Sequence, residues 1–215
     1  MENFKNILQV IYYFVAMGGV AFAGIQLRQI KSNRKKQYDQ ARREKTAEMV
    51  TYYTQRVNPQ TRYVEKIVAN FDDDQCIDLY NCVPFVVNEE THNKLCSICP
   101  NKSTCTKETE PLCKNSDGKY YVKDELLYCL RGTIINYLNT LESVLLTWEL
   151  GIVEQDVIVE QFAFLDKKRQ KERALETFRS IAGGGHSYPA IEKFYQYLKR
   201  ESEKKSEESL KDIIK

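Results

Sequence analysis

Hydrophobic and polar positions divide this chain into an apolar start, a basic continuation and a series of segments with helical periodicity. Residues 7–27 read ILQVIYYFVAMGGVAFAGIQL and contain no charged side chain. As a helix that rises about 1.5 Å per residue, this run is long enough to cross a hydrocarbon core of about 30 Å. The pattern therefore predicts a transmembrane anchor over residues 1–27, with the lipid bilayer as its partner.

The run that follows, residues 28–45, is strongly basic. Its two acidic residues are Asp39 and Glu44, and its eight basic residues are Arg28, Lys31, Arg34, Lys35, Lys36, Arg42, Arg43 and Lys45. Short basic segments beside a membrane span stay in the cytoplasm. The sequence thus predicts a single-pass protein of the inner membrane, with its N-terminus outside and its C-terminal domain in the cytoplasm.

A cleaved secretory signal is the alternative to a retained anchor. Residues 21–23 read Ala-Phe-Ala, which has the small-x-small form of a signal-peptidase site. Residues 1–6 carry no net positive charge, however, and the basic run lies on the side that would have to be translocated. These two features favour the anchor.

Three small residues within the apolar run, Ala16, Gly19 and Ala23, share one helical stripe. Small residues spaced in this way let two membrane helices approach closely, so the stripe predicts a homo-oligomer. Small residues are also simply common in membrane spans, and that alternative remains open.

Beyond the anchor the periodicity is helical. Residues 28–71 are expected to form a basic juxtamembrane helix, interrupted at residues 57–59, and then a short helix over 61–70. The apolar side of that short helix is predicted to consist of Tyr63, Val64, Ile67 and Val68.

Residues 119–200 form the predicted helical core. Its longest helix, 123–150, is followed by Gly151 in the position of a C-terminal cap. Its apolar positions recur at helical spacing: Leu126, Leu127, Leu130, Ile134, Tyr137, Leu138, Leu141, Val144, Leu145 and Trp148.

Three further helices complete this core. They are expected over 155–165, over 167–181 and from Pro189 onward, and the last should bury Ile191, Phe194, Tyr195 and Leu198. Glycines 183–185 are expected to end a helix, and the charged tail, 201–215, is expected to fray. The predicted fold class is all-α: a transmembrane helix, a cytoplasmic helical bundle and a Cys-rich loop insertion.

The insertion, residues 72–118, shows no helical pattern and holds six of the seven cysteines. Four of them, Cys96, Cys99, Cys105 and Cys113, lie within eighteen residues, and the first two form a Cys-x2-Cys pair. In a reducing cytoplasm such a cluster favours a metal site, either zinc or an iron–sulfur cluster. Free thiols, or disulfides after secretion, are the alternatives.

Other polar groups around these segments have simpler interpretations. His92, Cys76 and Cys82 could substitute as ligands or support the metal site, whereas Cys129 is expected to pack in the core of the long helix. Asp72, Asp73 and Asp74 are expected to be solvated. The polar positions Asn136, Asn139 and Glu142 predict either a buried cluster or, more simply, a solvated or hydrogen-bonded helix edge.

Charge and composition narrow the function classes. The net charge is only +2, and aromatic residues do not alternate with the basic ones, so nucleic-acid binding is not expected. The two histidines, His92 and His186, have no Ser or Asp at a catalytic spacing, and no enzyme is predicted. The glycine-rich residues 183–187 lack the Lys-Ser/Thr of a P-loop.

Two stretches carry a family resemblance. Residues 135–142 read INYLNTLE and residues 150–156 read LGIVEQD, behind an N-terminal apolar run and a basic helix. The chain resembles the bacterial membrane-anchored family catalogued as domain of unknown function 4760, over the apolar run and about residues 124–200. The resemblance implies a single-pass helical protein with a cytoplasmic domain, and it places the Cys-rich stretch outside the family pattern. It implies no activity.

Two functions are compatible with this pattern. The first is a membrane-tethered sensor or adaptor that has a metal-binding Cys cluster and an unknown protein partner. The second is a membrane-acting effector, for example of a bacterial defence or toxin system, whose spans cluster and permeabilise the bilayer.

Overall fold

The computed structural model describes residues 2–96, 119–122, 124–165 and 173–213. Within them the chain is mostly helical, with nine helices and one two-stranded sheet, so the predicted all-α class is confirmed. In chain order the elements are α1 (Glu2–Arg56), α2 (Pro59–Val68), α3 (Asp73–Asn81), β1 (Phe85–Val87), α4 (Glu89–Cys96), β2 (Tyr120–Val122), α5 (Asp124–Glu149), α6 (Gln155–Phe162), α7 (Arg173–Ile181), α8 (Gly184–Ser187) and α9 (Pro189–Ile213).

The chain divides into two units, residues 1–45 and residues 46–215, which we call the N-terminal unit and the body. The N-terminal unit consists of the first part of α1. The body begins at Thr46, inside the same helix, and contains all the other elements. The interruption predicted at residues 57–59 is confirmed, because α1 ends at Arg56 and α2 begins at Pro59.

Helix α5 is the centre of the body. It packs against α9, α2, α3 and α6, and the apolar periodicity of its sequence supplies most of the side chains at these contacts. Leu130, Ile134 and Val144 are among its fully buried residues. Of the ten positions predicted to face the core, Leu126 is half-buried and the other nine are buried.

Local signals in the sequence explain where several helices begin and end. Asn58 accepts a hydrogen bond from the Thr61 amide and so caps α2, while Asp72 and Gln75 form a capping box at the start of α3. Gly151, at φ +67°, ends α5 as predicted, and the Ile152 amide donates back to the Thr147 carbonyl as in a Schellman motif.

The small sheet was not predicted. β1 and β2 pair antiparallel, with Phe85 opposite Val122 and Val87 opposite Tyr120. Both strands are short runs of aromatic and β-branched residues, which favour extended structure. The inward positions of each strand are buried, so the sheet closes one side of the core.

The region from residue 72 to 96 departs most clearly from the expectation of a loop. It contains α3, β1 and α4, and the carboxylate of Asp72, expected only to be solvated, starts α3. Helix α3 buries few apolar side chains, notably Leu79 and the thiol of Cys76. Its helical periodicity is therefore sparse, and a cysteine stands where an aliphatic residue would have marked it.

Smaller differences affect other helices. Tyr63 is exposed and Tyr195 is half-buried, although both were expected in the core. The tail does not fray at residue 201, because α9 continues to Ile213. Side-chain pairs one turn apart, such as Lys204 with Glu201, stabilise this exposed helix modestly.

Candidate functional site

The N-terminal unit exposes large apolar side chains. Phe22, Ile25, Leu27 and Ile30 are 49–68% exposed, and all four lie within nine residues of one helix. At 100° per residue these positions point in different directions around the axis, so they do not form the single apolar stripe of a helix that packs on one partner. The four positions together cover about 200° of the helix surface, so this segment presents a broad apolar face.

Basic side chains follow this apolar segment along α1, and they fall into two groups. The proximal group consists of Arg28, Lys31, Arg34, Lys35 and Lys36, all of which are exposed. The distal group consists of Arg42, Arg43 and Lys45; the first and last are half-buried. The Arg42 guanidinium lies 5.9 Å from the centre of the Tyr38 ring, within the range of a cation–π contact.

None of the described helices combines the length and the apolarity that a membrane crossing requires. Of the predicted oligomerisation stripe, Ala23 is exposed, and the side chains of Ala16 and Gly19 lie outside the described residues.

The predicted metal ligands lie largely beyond the structure's description. Cys96 is the last residue of α4, and Cys99, Cys105 and Cys113 lie outside the described residues. In the part of the chain that is described, no group of three or more His, Cys, Asp or Glu side chains is placed to hold a metal ion. The metal site therefore remains a prediction.

The structure does show where the Cys-bearing segment is attached. Helix α4 ends at Cys96 and β2 begins at Tyr120, on either side of residues 97–118, and α4 packs against both β2 and α2. The imidazole of His92 is buried and stacks on the Tyr120 ring, with 4.2 Å between the ring centres and 20° between the planes. His92 thus helps to fasten the two ends of the segment to the core.

The cysteines outside this segment have different environments. Cys76 is buried in α3, and burial, with smaller contributions from Asp73 and Asp72, raises the pKa of its thiol to about 12. A thiol of this kind stays protonated at neutral pH and is a poor metal ligand. Cys82 caps the C-terminus of α3 in the left-handed conformation at φ +57°. Cys129, expected in the core, is half-buried.

A buried carboxylate lies in the body, at a position that no pattern in the sequence marked as buried. Glu65 is only 1% exposed, and Tyr137 hydrogen-bonds to its carboxylate and to Tyr53. Burial, followed by the charge of Glu65, raises the pKa of Tyr137 well above its usual value and the pKa of Tyr53 to about 12. We call these three residues the Glu65 cluster, which joins α1, α2 and α5.

The Glu65 cluster is closed to solutes because its members are 1–7% exposed. A buried acid costs stability unless hydrogen bonds compensate for its lost hydration. The phenol groups supply that compensation. The arrangement fixes three helices in one relative position rather than presenting a reactive group.

A second carboxylate joins two helices. Glu142 on α5 accepts hydrogen bonds from the Ala190 and Ile191 amides, at 2.9 and 3.0 Å, and so caps α9 from another element. Asn136 and Asn139, with which it was grouped in sequence, are exposed. The simpler prediction, a hydrogen-bonded helix edge, holds for this carboxylate.

The glycine-rich turn at residues 183–185 has a structural role. Gly183, at φ +108°, ends α7 as predicted, and a Cβ there would lie 2.2 Å from the Ser187 hydroxyl oxygen. His186 is exposed. Nearby, the buried Arg179 guanidinium pairs with Glu176 and with Glu192, which ties α7 to α9. These three side chains form an ion-pair network through the Nη2 atom of Arg179.

Comparison of the chain with protein-family models, with curated proteins and with solved structures gave no match. The resemblance to domain of unknown function 4760 therefore remains a prediction.

Proposed function

We propose that this protein is a membrane-tethered helical sensor or adaptor without enzymatic activity. Residues 7–27 anchor it in the inner membrane with the N-terminus outside, and the body lies in the cytoplasm. The observation that carries the proposal is the apolar surface of α1 at residues 22–30, whose last residues overlap the start of the proximal basic group at Arg28. Large apolar side chains spread over about 200° of an exposed helix surface are stable when a hydrocarbon medium surrounds them.

The contacts within the body favour the transmission of a structural change between helices over catalysis. Its buried charged groups, Glu65 and Arg179, are engaged in contacts that hold helices together. Helix α1 continues from the N-terminal unit into the body, where Tyr53 belongs to the Glu65 cluster. Thr46 adds a second attachment, since its hydroxyl accepts a hydrogen bond from the Glu154 amide at 2.8 Å.

The Cys-bearing segment is the candidate sensing element in this proposal. Together with Cys96 at the end of α4, this segment would bind zinc or an iron–sulfur cluster through Cys99, Cys105 and Cys113. Its position between two elements that pack together would pass a change of metal or redox state to the core.

Membrane extraction tests the tether. A charge near the centre of the apolar run costs about 2.5–3.5 kcal/mol on insertion scales, so Met17→Arg should move the full chain from the carbonate-resistant membrane fraction to the extractable fraction. Gln40→Arg, on an exposed part of α1, is the matched control and should stay in the membrane. Complete extraction of the unmodified protein would refute the tether.

Reporter fusions test the orientation. A reporter fused after Lys215 should be active only as a cytoplasmic-type fusion, because the basic run keeps the body inside. Periplasmic activity would overturn the localisation, and with it the preference for a metal over disulfides.

Metal analysis tests the sensing element. Anaerobically purified protein should contain zinc, or iron with sulfide, and Cys99→Ser should release it. Cys129→Ser is the control, because Cys129 belongs to α5 and is not one of the four proposed ligands, and it should retain the metal. Protein that is metal-free as purified would remove this part of the proposal.

A further inference from the structure

We infer that the proximal basic group binds the headgroups of anionic phospholipids, and that the distal basic group does not. The inference rests on the proposed tether and deepens it, since it divides the basic run into a part that recognises lipid and a part that serves the protein.

Distance along α1 is the first argument. At about 1.5 Å per residue, Lys36 lies about 12 Å beyond Arg28, whereas Arg42 and Lys45 lie about 21 and 25 Å beyond it. The headgroup layer itself extends about 5–7 Å beyond the hydrocarbon core, and charges farther from it than the Debye length, about 8 Å at physiological ionic strength, are largely screened. The proximal group therefore falls within reach of the headgroups and the distal group does not.

Local charge is the second argument. Residues 28–36 hold five basic and no acidic side chains, whereas residues 37–48 hold three of each. The proximal segment is thus an uncompensated positive field, and the distal segment is neutral overall. Only the first attracts a negatively charged surface.

Exposure is the third argument. All five proximal side chains are exposed, while two of the three distal ones, Arg42 and Lys45, are half-buried and Arg42 lies against Tyr38; Arg43 is exposed. The proximal positions extend around about 200° of the helix surface. A helix that stands in a bilayer can then contact several headgroups around its circumference, which suits a layer of lipids better than one compact anion.

Lipid selectivity of the reconstituted full chain tests the inference. The protein is placed in vesicles that contain spin-labelled phosphatidylglycerol or spin-labelled phosphatidylcholine, and the motionally restricted fraction of each lipid is measured. The wild type should prefer phosphatidylglycerol about fivefold, which corresponds to one favourable basic contact at an anionic surface.

Two variants remove the same number of charges from the two groups. The proximal variant, Lys31→Gln/Lys35→Gln/Lys36→Gln, should lose most of the preference. The distal variant, Arg42→Gln/Arg43→Gln/Lys45→Gln, should keep it within twofold. Glutamine preserves helix propensity, so neither variant should alter α1. Equal behaviour of the two variants would overturn the inference.

Other outcomes separate the inference from the tether. Protein that stays in the vesicles but shows no preference for the anionic lipid refutes the inference and leaves the tether intact. Protein that does not remain in the vesicles refutes both. If soluble RNA at matched phosphate concentration abolishes the wild-type preference, the proximal group is a nucleic-acid site and the lipid assignment is wrong.

Discussion

Helix α1 contains two regions with opposite relations to the rest of the chain. Residues 22–45 expose most of their side chains, including Leu27 at 68%, whereas residues 46–56 contribute Thr46 and Tyr53 to the buried interior of the body. The backbone is helical throughout. Secondary structure therefore does not reveal what surrounds a helix, and the exposure of its side chains does: among the described residues, the second region is partly buried and the first is mostly exposed.

The strongest test of this comparison sets an apolar residue of the body against one of the N-terminal unit. Leu141 is 1% exposed, so Leu141→Ala should lower the free energy of unfolding by about 2–5 kcal/mol. Leu27→Ala should change it by less than about 0.5 kcal/mol, because no part of the described chain packs over that side chain. The fluorescence of the single tryptophan, Trp148, in a denaturant titration reports both values.

An equal loss of unfolding free energy in Leu141→Ala and Leu27→Ala would show that the N-terminal unit and the body do not differ in packing. A small loss for Leu141→Ala alone would mean that α5 is not the centre of the core.

Substitutions in the Glu65 cluster should cause the next largest loss in the free energy of unfolding. Glu65→Ala leaves the buried Tyr137 hydroxyl without its carboxylate partner and should cost about 1–3 kcal/mol. Combined with Tyr137→Phe, it should show a coupling energy of about 1–3 kcal/mol in a double-mutant cycle. Glu160→Ala, at an exposed position of α6, is the control and should stay within about 0.5 kcal/mol. Additive losses would show that the two side chains do not interact.

Two carboxylates on α5 allow the stability contributed by a helix cap to be compared with that contributed by an exposed ion pair. Glu142→Ala frees the Ala190 and Ile191 amides and should cost about 1–2 kcal/mol. Glu149→Ala breaks a pair with the exposed Lys193 and should cost less than about 1 kcal/mol. The reverse order in thermal unfolding would contradict the assignment of Glu142 as the cap of α9.

The smallest predicted effect is a gain in stability rather than a loss. Cys82 is the one non-glycine residue with positive φ among the described residues, and Cys82→Gly should stabilise the body by about 0.5–1 kcal/mol. Cys82→Ala keeps the Cβ atom that causes the strain, so it should give no such gain. A stability lower in the glycine variant than in the alanine variant would show that the cysteine side chain, rather than the backbone, matters at this position.

Much of the body could be predicted from sequence because its largest helix is long and strongly periodic. In α5 the apolar positions predicted the buried face, and Gly151 and Pro189 marked the end of one helix and the start of another. These signals are local, so one sequence is enough to read them.

The parts that could not be predicted depend on partners distant in sequence. Glu65 reads as a surface residue in the sequence, and its burial depends on Tyr137, which is far away along the chain. In the same way, Glu142 caps a helix only because the fold places it beside Ala190. Strands β1 and β2 pair across a long separation in the chain. Helix α3 depends on its capping box more than on apolar periodicity, which the expectation of a loop overlooked.

The central claim is that α1 passes from a hydrocarbon environment into the body of its own chain. Quenching by brominated lipids tests it most directly, in a Trp148→Phe background that retains its helical circular dichroism. Leu27→Trp should lose most of its fluorescence in vesicles of brominated-acyl lipid, while Tyr52→Trp, half-buried in the body, should lose little. Equal emission of Leu27→Trp in brominated and ordinary vesicles would contradict the claim.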